Sequence, residues 1–103
     1  MLTLRDSPFE TAAPVLLLQR RGEVVETALS SFIIDNFLFG DTAAAPAPDL
    51  PLVQSGLVDS TGILEIVAFL ETKFGVHTAD EDLAVDNFGS ISTIVRFVLA
   101  RAA

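Results

Sequence analysis

Cysteine, tryptophan and tyrosine are absent from this 103-residue chain, and Lys plus Arg number only 6. Without cysteine there is no disulfide framework, no thiolate metal site and no cysteine nucleophile. The single histidine, His77, has no companions at metal-ligand spacing, so no metal site is expected. No stretch approaches the roughly 18–20 apolar residues of a membrane span. The run Pro14-Val15-Leu16-Leu17-Leu18 is too short for a signal-peptide core, and acidic Asp6 and Glu10 precede it. A cytoplasmic protein, neither secreted nor membrane-bound, is expected.

What is present is apolar and acidic. Half of the residues are hydrophobic, the aromatic content being eight Phe, which suffices for the core of one small domain. Residues 22–103 hold twelve Asp and Glu against Lys73, Arg96 and Arg101, a net of −9, while residues 1–21 carry +1. A domain of this sign repels nucleic acid and anionic membranes and attracts basic protein surfaces.

Residues 1–21 mix two prolines with one short apolar patch and no sustained period, and read as a flexible tail before a domain of residues 22–103. From Glu23 the pattern turns helical: Val25, Leu29, Phe32 with Ile33, and Phe37 make one stripe, which Gly40 ends in a left-handed cap. Residues 41–58 form a long connection with three prolines, from which Leu50, Leu52, Val53 and Leu57 are expected to tuck into the core. A second helix starts at Asp59 or Ser60 and runs to Phe74, with Gly75 as its stop. Ile63, Ile66, Leu70 and Phe74 form its buried arc, with Val67 at the edge. Thr78-Ala-Asp-Glu81 has the capping-box pattern of a short third helix, which Asn87-Phe88-Gly89 breaks. Ser90 caps a last helix with Ile91, Ile94, Val95 and Val98 inside. The expectation is an all-α antiparallel bundle of three long helices and one short one.

The informative segment is Ser55-Gly56-Leu57-Val58-Asp59-Ser60-Thr61-Gly62. As local structure it is a loop delivering a capped helix, since Asp and Ser are both good N-caps. A Ser at that position also sits where free amides and the helix dipole favour a phosphate. A catalytic role fits poorly. Val58 stands where a nucleophile elbow needs its first Gly, and the strand before the turn is missing. The only candidate base, His77, follows the far end of the same helix. Asp59-Ser60-Thr61-Gly62 is also one residue out of spacing for an aspartic-protease motif, and a helical domain cannot build that β-rich site.

Gly56-Leu57-Val58-Asp59-Ser60 leading into an apolar helix resembles the acyl carrier proteins and their peptidyl carrier relatives. The resemblance runs from about Glu23 to Ala102. It takes in Asp35-Asn36-Phe37-Leu38-Phe39-Gly40, the long loop, Ile63 to Glu71, Lys73-Phe74-Gly75-Val76, Asp80-Glu81-Asp82-Leu83 and Asp86-Asn87-Phe88-Gly89-Ser90-Ile91. It implies an acyl-carrier-like bundle and a carrier rather than an enzyme, with no catalytic residue of its own. In that family a phosphopantetheinyl transferase, with magnesium, moves 4′-phosphopantetheine from coenzyme A onto the Ser after the Asp, here Ser60. The arm's terminal thiol holds the cargo as a thioester. Asp59 matches the motif's Asp and would orient the loop and the transferase.

Thr61 and Gly62 depart from the family's usual Leu and better helix formers, which predicts a looser first turn. Fewer acidic residues follow than in fatty-acid carriers, which speaks against a housekeeping fatty-acid role, and Asp59-Ser60-Thr61-Gly62 looks more like the free-standing carriers of specialised lipid or natural-product pathways. Its implied partners are the transferase, an adenylating acyl or aminoacyl ligase and downstream acyl-processing enzymes. The carrier itself is expected to be a monomer. An unmodified helical interaction module with the same fold is the alternative.

Helical geometry adds a surface. Counting from Ser60, Glu71 falls about 20° away, Leu64 about 40° and Ala68 about 80°. Leu64 and Ala68 are therefore expected to be exposed apolar positions. With Thr61, and with Asp59, Glu65 and Glu71 as an acidic rim, they form a partner-recognition patch.

Overall fold

Helical periodicity and glycine stops divide the chain into four α-helices, which a computed structural model describes for residues 8–102, with side chains for residues 20–101. They are α1 (Pro8–Phe37), α2 (Ser60–Phe74), α3 (Val85–Phe88) and α4 (Ile91–Ala102). Short 3-10 turns stand at Thr42–Ala44 and Asp80–Asp82. No strand occurs among the described residues, so the domain is all-α. No helix among them is long and apolar enough to cross a membrane.

The start of α1 differs from expectation. Residues 1–7 of the expected tail lie outside the described residues, but the backbone of 8–21 is helical and continuous with the stripe from Glu23. Two prolines gave that stretch the look of a breaker. Pro8 takes the first helical position, where its missing N–H costs nothing, and Pro14 forgoes one hydrogen bond inside an unbroken helix.

Contacts at both ends set the helix directions. Gly22 lies against Val95 and Leu99 near the end of α4, while the Phe37 ring at the end of α1 meets Gly62 at the start of α2. The helix α1 is therefore antiparallel to both. Val25, Leu29 and Ile33 from α1, Ile66 and Leu70 from α2, and Ile91, Ile94 and Val98 from α4 close the core. The buried faces follow the expected stripes, with Phe97 added on α4. Phe69, outside the expected arc of α2, is half-buried and stacks on Phe32 at 4.4 Å between centroids. The cap at Gly75 (φ 68°) and the turn at Gly40 (φ 79°) both use the left-handed region, as expected.

The third helix is a correction. Thr78 does not cap Glu81; its hydroxyl is buried without a hydrogen-bond partner among the described residues. Asp82 organises this segment instead. Its carboxylate accepts the Ala79 N–H at 2.9 Å and the Arg101 guanidinium, and its carbonyl accepts the Asn87 side-chain amide at 2.9 Å. The result is a 3-10 turn, and α3 begins only at Val85, spanning the Asn87-Phe88 read as its breaker. Arg101, 19 positions away in sequence, supplies the second partner of that carboxylate, and no local pattern announces it. Ser90 caps as expected, exchanging hydrogen bonds with Thr93: its Oγ accepts the Thr93 N–H at 3.2 Å while its own N–H donates to Thr93 Oγ1 at 3.0 Å.

Candidate functional site

The loop before α2 is irregular but anchored. Leu52 and Val58 are fully buried, and Leu50 and Leu57 are half-buried, whereas Val53, expected inside, is exposed. Leu52 N–H donates to the Gly89 carbonyl (2.8 Å), Val58 N–H to the Leu52 carbonyl (3.0 Å) and Ser92 N–H to the Pro48 carbonyl (2.8 Å). The loop is thereby tied to the α3–α4 junction, so that the residue after Val58 enters α2 from a fixed position.

Asp59 is the N-cap. Its backbone is extended (φ −95°, ψ −176°), and its carboxylate accepts the Gly62 N–H at 2.7 Å. Ser60 is therefore the first residue of the helix and not its cap. It is exposed, and its hydroxyl makes no hydrogen bond to any described residue. The first turn is not loose at Gly62. A Cβ there would lie 2.7 Å from Val58 Cγ1 and 2.9 Å from Phe37 Cε1, so glycine lets the helix start press against α1.

The remaining expected residues fall as the helical count places them: Thr61, Leu64, Glu65, Ala68 and Glu71 are all exposed, Leu64 at 56%. Their exposure says nothing yet of a partner. Beside them opens an apolar groove of about 510 Å³ that includes Ser60 in its lining. Ile63 and Leu64 form one wall, Val53 and Pro51 come from the loop, and Leu83, Val85 and Phe88 form the far wall. Six large hydrophobic side chains are exposed among the described residues, and four of them (Val53, Leu64, Leu83 and Val85) line this groove. Scattered apolar exposure is ordinary, but this concentration around one hydroxyl is not.

The far wall is what sequence reasoning missed. Leu83 and Val85 stand with Ala84 in a short apolar run, but their position depends on the Asp82 junction. The backbone N–H of Ala79 and then the Arg101 guanidinium hold the Asp82 carboxyl below its ordinary value, outweighing the opposing effect of burial. Arg101 also lies over the Phe97 ring, 4.8 Å from its centroid, and donates to the His77 carbonyl.

No base serves Ser60 among the described residues. His77 stands beyond the C-terminal end of the 15-residue α2, which at 1.5 Å per residue is about 22 Å of helix from Ser60. It is exposed, with Nδ1 3.9 Å from the Glu71 carboxylate. The Asp59 oxygen that faces the helix is already committed to Gly62. Among the described residues Ser60 thus has neither the base nor the orienting third group of an activated nucleophile.

The chain matches no protein-family model and no curated protein. The structure defines an all-α domain that presents one serine on a helix start beside an apolar groove.

Proposed function

We propose that this chain is a carrier protein, holding acyl or aminoacyl intermediates as thioesters on a 4′-phosphopantetheine arm attached to Ser60. The observation that carries the reading is the pairing of an exposed, uncommitted hydroxyl on the first residue of α2 with the open apolar groove that it helps line. The order of elements supports an acyl-carrier-like arrangement: a long helix, a long pinned loop, then α2, a short α3 and α4.

The residues around Ser60 fit the group. The Asp59 cap fixes where α2 begins and so makes Ser60 its first residue. It also takes one amide of the helix start, leaving the N–H groups of Ser60 and Thr61 without acceptors among the described residues. Those amides, at the positive end of the helix dipole, favour a phosphodiester there. No charged side chain lines the groove. It suits an aliphatic acyl chain better than an aminoacyl group, whose ammonium would lose its hydration there. When bound, the arm supplies the terminal thiol that this cysteine-free chain lacks. Ser60, Leu64, Ala68 and Glu71 then lie on the face where a transferase, an adenylating ligase and acyl-processing enzymes would meet the cargo.

The test is direct. The protein is incubated with coenzyme A, magnesium and a broad-specificity phosphopantetheinyl transferase and then weighed. A gain of one phosphopantetheine on wild type and none on Ser60→Ala is expected. No gain on wild type, or an equal gain on Ser60→Ala, would sink the proposal.

A further inference from the structure

The turn that leaves α1 holds an unusual residue. Phe39 is 99% exposed and has φ 54°, the one non-glycine residue with positive φ among those described. It is followed by Gly40 at φ 79°, and the Asp41 N–H closes the turn onto the Leu38 carbonyl at 3.0 Å. Turns with positive φ at both central residues belong to Gly, Asn and Asp, whose backbones enter that region at least cost. A bulky side chain is disfavoured there, and an aromatic ring in water forfeits its burial as well. Neither cost is offset by a contact within the domain. Folding alone therefore gives no reason for Phe at this position, and strain of this kind points toward function.

The backbone that carries the ring is also held firmly. The Gly40 N–H donates to the Ile34 carbonyl at 2.9 Å, and Asp41 Oδ1 accepts the Ala43 N–H at 3.1 Å, so the turn is bonded on both sides. With the backbone fixed, only the two side-chain torsions of Phe remain to be ordered when the ring enters a pocket, which suits an interface anchor. Its place matters equally. Phe37, two residues earlier, packs on Gly62, so Phe39 stands at the Ser60 end of the bundle. The surroundings have one sign: residues 22–72 contain eight Asp and Glu and no Lys or Arg, with exposed Asp35 and Asp41 flanking the turn.

We propose that Phe39 is a docking anchor for the protein that modifies Ser60, its ring entering an apolar pocket ringed by Lys and Arg on that partner. This rests on the carrier reading above. A lipid surface is the less suitable occupant, since the acidic flanks repel anionic headgroups.

The experiment compares wild type with Phe39→Asn, Phe39→Gly and Phe39→Trp. The variants are assayed with a phosphopantetheinyl transferase at saturating coenzyme A, alongside thermal unfolding. Asn and Gly are expected to leave the midpoint equal or higher while kcat/KM for the carrier falls at least about tenfold, a loss of about 1.4 kcal/mol in transition-state stabilisation. The KM for coenzyme A should stay unchanged, and Trp should retain most of the rate. Equal kcat/KM for Asn and wild type overturns the anchor while leaving the carrier reading intact. A wild type that gains no mass at all overturns both. Co-sedimentation with phosphatidylcholine or phosphatidylserine vesicles that is lost in Phe39→Asn would make the ring a lipid anchor and overturn the proposal.

Discussion

Replacing Gly62 by Ala sets two effects of known size against each other. Alanine is favoured over glycine inside a helix by up to about 1 kcal/mol, and less in the first turn, where part of the backbone is not yet bonded. Against this, the new methyl would sit 2.7 Å from Val58 Cγ1 and 2.9 Å from Phe37 Cε1, inside any real carbon–carbon contact. Val58 is 1% exposed and stiff at χ1, so it cannot turn away. Relief must come from the Phe37 ring or from the start of α2. Overpacking of this kind costs about 1–3 kcal/mol. Steric cost outweighs propensity, leaving a net loss of about 1–2 kcal/mol and a fall in midpoint of several degrees, at about 4–8 °C per kcal/mol for a domain this size. Thermal unfolding by circular dichroism measures it. Adding Phe37→Leu should recover part of the loss, because the smaller side chain leaves room for the methyl, and a double-mutant cycle isolates that coupling. A Gly62→Ala variant as stable as wild type or more so would refute the reasoning.

Removing the Asp59 cap by Asp59→Ala should cost about 0.5–2 kcal/mol in denaturant unfolding, with Asp59→Asn losing much less; equal losses would mean that charge, not the hydrogen bond to Gly62, is what matters. Asp82 has its folded carboxyl below the ordinary 3.8, so its stabilisation is complete above the unfolded value and disappears as pH falls through the lower folded one. Wild type should therefore lose stability below about pH 4 more steeply than Asp82→Asn, and parallel curves would count against the ion pair with Arg101. Leu64→Asp, at an exposed position, should change stability by no more than about 0.5 kcal/mol yet reduce binding of an apolar fluorescent dye to the groove; a large drop in midpoint would show that Leu64 belongs to the core.

Helix stripes and glycine stops were legible because they are local. Val25, Leu29, Ile66, Leu70, Ile91, Ile94 and Val98 recur at helical spacing whatever surrounds them, and the structure buries all of them. The start of α2 was legible for the same reason, although the local pattern left the cap between Asp59 and Ser60, and the structure gives it to Asp59. What escaped depends on distant partners. The Thr78 pattern promised a capping box, but Asp82, which Arg101 also binds from 19 positions away, accepts the Ala79 N–H instead. Gly62 looked like a weak helix former because sequence records its propensity and not the Phe37 ring that requires it. The far wall of the groove follows from the Asp82 turn, so Leu83 and Val85 could not be placed beside Ser60 in advance.

The site's chemistry follows from what surrounds one hydroxyl. A serine that attacks needs a base within about 2.6–3.2 Å, itself oriented by a third group. The carboxylate next to Ser60 is spent on the Gly62 amide, and the only imidazole lies past the other end of α2. On the carrier reading proposed above, activation is brought by the transferase, which would have to find Ser60 on the surface. The exposed features that folding does not explain gather at this end of the bundle: four apolar side chains around the groove and a strained, solvent-facing Phe39. Each lowers the stability or solubility of the isolated domain, and on the carrier reading proposed above a partner or a cargo would cover it. The alternative of an unmodified interaction module would use the same exposed surface but would give no reason for the uncommitted hydroxyl. Ser60 at the first position of α2, presented outward by the Asp59 cap, is the feature that separates the two readings.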